Sequence, residues 1–387
     1  MKKLIFAVGM KRIALLAPVL LLTTLTTAAP EEGPSGLVRL GLDYLKSLTA
    51  PKKHFDSTYV LQPVLKWTVS LESALIHTRA DLFSDLTITD LTGDQSSILH
   101  GTMETGMQSR PSRKVGLAAG YGSLHLGYGV DLGKKKEDRN TYYSFGVTSS
   151  AYGAQIHYYK THQLPRGTLD IEGSNPLDLS SSYPGELRNL TLNGFYAFNR
   201  HRFVYSAAYN GRILQRRSAG SWMVTAKYVQ GDFSLNPADD LWNRLNDLRR
   251  YSTQQVSVGG GYSFNWVILH RDPTDPATAA GLRNLTVNVT ALPKISFLNH
   301  IQTEQNRPGG LFTVRYKGQP AFTPTLSSGI NWSLGRVCFN VSAEYSRFGF
   351  EGVETTVEEQ NGFYKTNVKT RGTFHDISVK GKVDVRF

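Results

Sequence analysis

Val379-Lys380-Gly381-Lys382-Val383-Asp384-Val385-Arg386-Phe387 closes the chain, and its alternation decides how the rest is read. Extended backbone turns successive side chains to opposite faces. Followed back to His375, one face carries Ile377, Val379, Gly381, Val383, Val385 and Phe387. The other carries Asp376, Ser378, Lys380, Lys382, Asp384 and Arg386. In a soluble sandwich the charged face would meet water. In an outer-membrane barrel the apolar face meets lipid and the charged face lines the lumen. A terminal aromatic residue favours the barrel, because bacterial outer-membrane barrels commonly end in such a strand. Phe387 is accordingly expected to act as the assembly signal.

Twelve further alternating runs precede it, at 67–75, 115–121, 124–130, 143–147, 152–158, 190–198, 203–209, 222–228, 256–266, 285–289, 330–334 and 337–345. One such run arises by chance, but thirteen in series predict an all-β, antiparallel transmembrane barrel. An even strand number is required if both termini share one side, so 311–317 is added to give about fourteen strands, with twelve as the alternative. That count places 231–251 and 291–310 on the side of the termini. It also leaves Asn236-Pro237-Ala238-Asp239-Asp240 as the capped start of a short helix.

The other end of the chain reads as an address. Lys2, Lys3, Lys11 and Arg12 precede an apolar run at 13–22 and a small, weakly polar stretch ending at Ala28-Ala29. These are the regions of a cleaved secretory signal peptide, expected to span 1–29. The apolar core is about ten residues, against roughly 20 for a membrane-spanning helix. No Cys follows it to carry a lipid anchor. Residues 30–63 are expected to be a periplasmic segment with a short amphipathic helix (Leu37, Leu40, Tyr44, Leu45 and Leu48 at helical spacing), and 64–387 the barrel.

Composition agrees with an envelope protein. Removing the four leader cations from a formal charge of +12 leaves +8. Nucleic acid is not expected as a partner, for there is no recognition helix, zinc motif or suitable basic cluster. Outer-membrane lipid, lipopolysaccharide and the barrel-assembly machinery are the expected partners. Cys338 is the only cysteine and can form no internal disulfide. No metal-ligand spacing and no cofactor motif is present.

Several stretches carry a resemblance. Phe55-Asp56-Ser57-Thr58-Tyr59-Val60 precedes the first strand, and 116–128 forms a Gly-rich hairpin. Gln215-Arg216-Arg217-Ser218-Ala219-Gly220-Ser221 and Gly259-Gly260-Gly261-Tyr262-Ser263-Phe264-Asn265-Trp266 follow. In this order they resemble an uncharacterised domain-of-unknown-function family of outer-membrane barrels from Bacteroidetes-type bacteria, from about Phe55 to Phe387. The resemblance implies a location and a fold. It brings no activity, ligand or catalytic residue.

Function must therefore come from the inward face. Glu72, His125, His157, Lys227, Glu344, Asp376, Lys380, Lys382, Asp384 and Arg386 are the expected lumen-facing polar residues. On the lipid side a Lys or Arg costs roughly 2–4 kcal/mol near the midplane. Inside, such charges need water or partners. A wet lumen predicts a passive pore or uptake route. A paired one predicts a closed structural or surface-interaction barrel. Four cations (Lys227, Lys380, Lys382, Arg386) match four carboxylates (Glu72, Glu344, Asp376, Asp384), so weak ion selectivity is expected. Ser123 and His125 share an inward face, which raises an acyl hydrolase as a third reading. Ser123 sits at a turn, however, and no orienting acid is identifiable, so no enzyme is expected. Lys134-Lys135-Lys136 and Arg216-Arg217 read as solvated charge runs or lipopolysaccharide contacts.

Overall fold

The computed structural model describes residues 55–387, except 63–64, 91–96, 109–111, 132–139, 150–151, 179, 182, 235, 237–247, 308–309 and 359–363. The expected signal peptide, the helix at 37–48, most of the helix after Asn236 and the Lys134–Lys136 run lie outside the described residues.

The strands are β1 (Val60–Leu61), β2 (Trp67–Asp90), β3 (Ser97–Gln108), β4 (Ser112–Tyr121), β5 (Leu124–Asp131) and β6 (Thr141–Thr148). Next come β7 (Tyr152–Ile171), β8 (Leu177–Asp178), β9 (Gly185–Ala197), β10 (Leu214–Gln215), β11 (Ala219–Ser234) and β12 (Leu248–Arg271). Last are β13 (Arg283–Leu292), β14 (Lys294–Arg307), β15 (Gly310–Lys317), β16 (Thr325–Leu334), β17 (Val337–Glu358) and β18 (Tyr364–Arg386). Hydrogen bonding runs β11-β9-β7-β6-β5-β4-β2-β18-β17-β16-β13-β12 and closes from β12 back to β11. The barrel thus has twelve strands, all pairs antiparallel. The first strand meets the last, with Arg386 opposite Thr68 and the Phe387 and Trp67 backbones bonded at 3.0 and 3.3 Å.

Twelve rather than fourteen follows from two segments. Residues 203–209 alternate in sequence but do not join the sheet; they hold a 3-10 turn at Tyr205–Ala208. Residues 311–317 are a strand, β15, which prolongs β16 and pairs with β14 outside the closed circuit. With 203–209 removed from the count, β11 and β14 run away from the termini, so the connections that follow Ser234 and Arg307 leave from the opposite end, which corrects their expected side. Hereafter the inner end is the one at which Trp67 and Phe387 meet.

β13 and β14 are one path along β12, broken at Pro293. The break needs glycine. A Cβ on Gly259 would lie 2.0 Å from the Pro293 carbonyl, and one on Gly261 would lie 1.9 Å from that of Ala291. At the inner end, Gly122 and Gly335 adopt positive φ (55° and 57°) in the tight turns between β4 and β5 and between β16 and β17.

The outward face is apolar. Trp67, Leu117, Leu126, Trp222, Val341 and Val383 are among its exposed residues. Tyr128, Tyr143 and Tyr158 stand side by side towards the outer end, while Trp67 and Tyr121, Trp222 and Tyr262, and Trp332 and Phe339 pair near the inner one. From Ile377 to Phe387 the strand advances ten residues. At about 3.3 Å per residue and a tilt near 40°, this band is roughly 25 Å tall, the height of a bilayer's apolar core crossed by such barrels.

Candidate functional site

The interior is stratified into three layers. At the inner end, residues 199–218 leave β9 and fold back into the barrel before β11 begins. Phe203, Val204, Ala207, Ala208 and Leu214 of this insert are fully buried. The strand pair β1–β10 ties residues 60–61 to it, with Val60 opposite Gln215. Arg202 and Arg217 lie over the Tyr59 ring at 5.1 and 5.9 Å. Asp56 accepts from the Thr58 hydroxyl and N–H, and Arg202 stands 3.5 Å away; these hold its carboxyl below the ordinary range. Arg216 bonds Asp272 at 2.7 Å.

The insert is fastened to the wall through buried amides. Asn265 donates to the Val204 carbonyl at 2.8 Å, and Asn284 to that of Gln215 at 2.7 Å. Tyr209 donates to Asn288 Oδ1 at 2.7 Å and contacts Ser327 Oγ at 3.1 Å. Asn288 in turn supports Asn265 at 2.7 Å and Ser263 at 2.9 Å. Asn and Gln suit this task because one side chain both donates and accepts.

The outer layer is apolar. Tyr159, Leu187, Val229, Phe233, Tyr251, Ile301, Phe348, Phe350 and Phe374 point inward from seven strands and form one cluster. Phe348 and Phe374 stack with ring centres 4.6 Å apart.

Between these layers is a polar chamber of about 160 Å³. Its smallest wall is the Gly-rich sheet of β4, β5 and β6. Arg212 reaches from the insert over Gly120 to donate to the Leu124 carbonyl, and the His125 ring lies over Gly146. Side chains there would close the space, which gives the Gly-rich hairpin a physical reason. At the edge of that sheet Tyr142 Oη of β6 bonds His157 Nδ1 of β7 at 2.6 Å, and it receives Lys380 Nζ of β18 at 3.4 Å. Lys382 Nζ stands 3.0 Å from Asp384 and 4.0 Å from Glu72.

All ten expected residues lie on the interior face. Glu72, His125, His157, Glu344, Lys380 and Lys382 line the chamber. The other four lie above or below it. Lys227 bonds Ser346 at 3.2 Å, and Asp376 accepts from Thr78 at 3.3 Å. Asp384 accepts from Ser70 and from Asn340, the latter at 2.8 Å; Arg386 bonds Ser333 at 2.9 Å and lies against Cys338. Ser123 is in the β4–β5 turn, where its carbonyl accepts from Thr148. Lys114, Tyr142 and Arg212 also line the chamber and are absent from the expected set. Strict alternation from Ser144 and Gly116 would have found Tyr142 and Lys114. Arg212 carries no period that points inward. Among the described residues, no three His, Cys, Asp or Glu are placed to hold a metal ion.

The family described as domain of unknown function DUF4421 matches residues 83–368. The chain belongs to this family. No curated protein matches this DUF4421 chain. Among solved structures it is similar to the outer-membrane protease OmpT of Escherichia coli, at 8% identity and TM-score 0.37, covering 84% of this chain and 99% of that one. The β domain of the Bordetella autotransporter BrkA gives 13% identity and TM-score 0.25, covering 81% and 100%. The translocator domain of the autotransporter NalP from Neisseria meningitidis gives 11% and 0.28, covering 90% and 96%. These likenesses carry no residue role to the DUF4421 chain.

Proposed function

We propose that this chain is an outer-membrane barrel that rests closed, a solute route shut by its own insert rather than a permanently open pore. The observation that carries this reading is the fold of 199–218 into the inner end, with the apolar layer above the chamber as a second barrier. The apolar band and its aromatic flanks support a place in the outer membrane. In this reading residues 1–29 direct export and are removed, Phe387 addresses the assembly machinery, and lipopolysaccharide borders the outer rim. The chamber binds and passes solute, with no reaction assigned to it.

The near balance of charge on the wall favours a route once the insert moves. Planar-bilayer recording tests the reading. The intact protein is expected to be silent, and a variant with 203–213 replaced by a Gly-Ser linker of equal length to conduct steadily. Steady conductance by the intact protein would overturn closure. Silence of the folded linker variant would favour the purely structural barrel.

A further inference from the structure

Two arginines stand side by side where the apolar band ends. Arg271 of β12 and Arg283 of β13 are opposite each other in the ladder, and both are exposed. The pair before them, His270 and Asn284, is turned inward, where the two side chains meet at 3.1 Å. Alternation therefore turns both arginines to the lipid face. The outward series that leads to them is apolar: Trp266, Ile268 and Leu269 on β12, Val287 and Leu285 on β13, and Trp332 opposite Leu285 on β16. Arg283 follows Leu285 at the next outward position, about 6.6 Å along the strand, which brings it to the level of lipid headgroups. Like charges directly opposite in a sheet destabilise it. The carboxylates nearby are engaged elsewhere. Asp272 accepts from Arg216 at 2.7 Å and lies 3.0 Å from His270 Nε2. Asp275 accepts from the Thr278 hydroxyl at 2.6 Å and the Ala277 N–H at 2.9 Å, and Asp56 stands 3.5 Å from Arg202. The terminal carboxylate at Phe387 lies three strand spacings from β13, about 14 Å. Among the described residues, neither Arg271 nor Arg283 has a carboxylate within 4.0 Å.

We propose that Arg271 and Arg283 form a binding site for an anionic phospholipid in the leaflet at the inner end. Its phosphate bridges the two guanidinium groups, and its acyl chains lie on Ile268, Leu269 and Leu285. A phosphate between the arginines removes their opposition, and the planar guanidinium fork matches phosphate oxygens with two hydrogen bonds at once. A zwitterionic headgroup brings its own ammonium to the pair, so a headgroup of net negative charge is preferred. A lipid fits better than free phosphate, because an exposed ion pair alone contributes little in water and the apolar strip above the arginines adds chain contact.

The inference needs the barrel to sit in a bilayer and is independent of whether the insert opens, so conductance and lipid binding fail separately. The full-length mature protein is refolded into phosphatidylcholine vesicles that contain brominated phosphatidylglycerol or, in parallel, the same fraction of brominated phosphatidylcholine. Bromine on the acyl chains quenches the tryptophans it touches, and Trp266 and Trp332 stand beside the site. Brominated phosphatidylglycerol should quench more strongly and saturate at low mole fraction, with a preference on the order of tenfold at the site. Arg271→Gln combined with Arg283→Gln should abolish the preference. Arg271→Lys combined with Arg283→Lys keeps the charge without the fork and should retain only a small part of it. Arg79→Gln, at the outer end, should leave it unchanged. In phosphatidylcholine alone the Gln pair should be at least as stable to urea as the wild type, because the opposed charges are gone. With phosphatidylglycerol present the wild type should become the more stable of the two, a reversal that misfolding cannot produce. Equal quenching by the two lipids overturns the proposal. So does a preference that the Gln pair retains, or that the Lys pair retains in full, which would mean diffuse attraction to a basic rim. Displacement of the brominated lipid by millimolar inorganic phosphate would also overturn it, in favour of a site for free phosphate.

Discussion

Cys338 offers a direct readout of the insert. It is fully buried on the interior face beside Arg386, and Gly211 of the insert lies over that same group; a Cβ there would be 3.0 Å from the guanidinium. A thiol reagent reaches it only when the insert lifts, so the labelling rate tracks the population of the lifted state. Asn288→Leu is the informative perturbation. It removes the acceptor of the Tyr209 hydroxyl and leaves Asn265 Oδ1 without its donor, while keeping the side-chain volume. One neutral hydrogen bond contributes about 0.5–1.5 kcal/mol, and a stranded buried acceptor costs about 1–3 kcal/mol. Tyr209 keeps Ser327, which offsets part of the loss. A net weakening near 2 kcal/mol raises the lifted fraction roughly 30-fold. Labelling of Cys338 by a small maleimide, followed by mass spectrometry, should accelerate by about that factor. Thr225→Val is the control: its hydroxyl bonds Asn193 and the Gly194 carbonyl on the wall, away from the insert. It should leave the rate unchanged. Equal rates in the wild type and Asn288→Leu would refute the anchoring role of the amide network, and equal acceleration in Thr225→Val would show that the rate reports the barrel as a whole.

Three other outcomes follow from the same geometry. Val383→Lys puts a charge on the lipid face and should lower folding stability in bilayers by about 2–4 kcal/mol if the site is near the midplane, read from urea titrations of tryptophan fluorescence; unchanged midpoints would mean that the faces are reversed. Gly261→Ala should prevent formation of the heat-modifiable barrel, because its Cβ meets the Ala291 backbone carbonyl and cannot push it aside as it could a flexible side chain; a normally migrating variant would show that the close pass at Pro293 is not needed. Reversal potentials of the linker variant should show weak ion selectivity, since Lys114, Lys227, Lys294, Lys380, Lys382 and Arg386 on the walls face Glu72, Asp131, Glu344, Asp376 and Asp384; strong anion preference would mean that loop charges govern the field.

The barrel was legible because alternation is a local property that lipid enforces on every strand at once. The strand count was less so. Phe203, Tyr205, Ala207 and Tyr209 alternate like a strand because they also divide two environments, but these are the two sides of a folded insert. Phe203 packs on Phe195 and Met223 of the wall, and Val204 and Ala207 pack on Val60. Period two reports two-sidedness and does not say what lies on either side. Loop lengths misled for a related reason. β2, β7, β12, β17 and β18 run on well past the apolar band, where the outward face turns polar, as at Arg79 and Asp81. Without an apolar side, a strand's alternation fades and reads as a loop.

The chamber needed the insert, and the insert's attachment explains why closure and barrel stability are separable. The circuit of twelve ladders does not pass through 199–218. Val60, Val204, Ala207 and Ile213 form a cluster wholly within the insert and the segment tied to it, and would travel with it. What holds the insert to the wall is narrower. Phe203 packs against β9, β11 and β13, and Leu214 against Ala279 and Leu282 in the turn between β12 and β13. Two such side chains contribute about 1.5–3 kcal/mol each on burial, and each wall hydrogen bond about 0.5–1.5 kcal/mol. That is enough to keep the lumen shut at rest, and loss of these contacts breaks no ladder of the barrel.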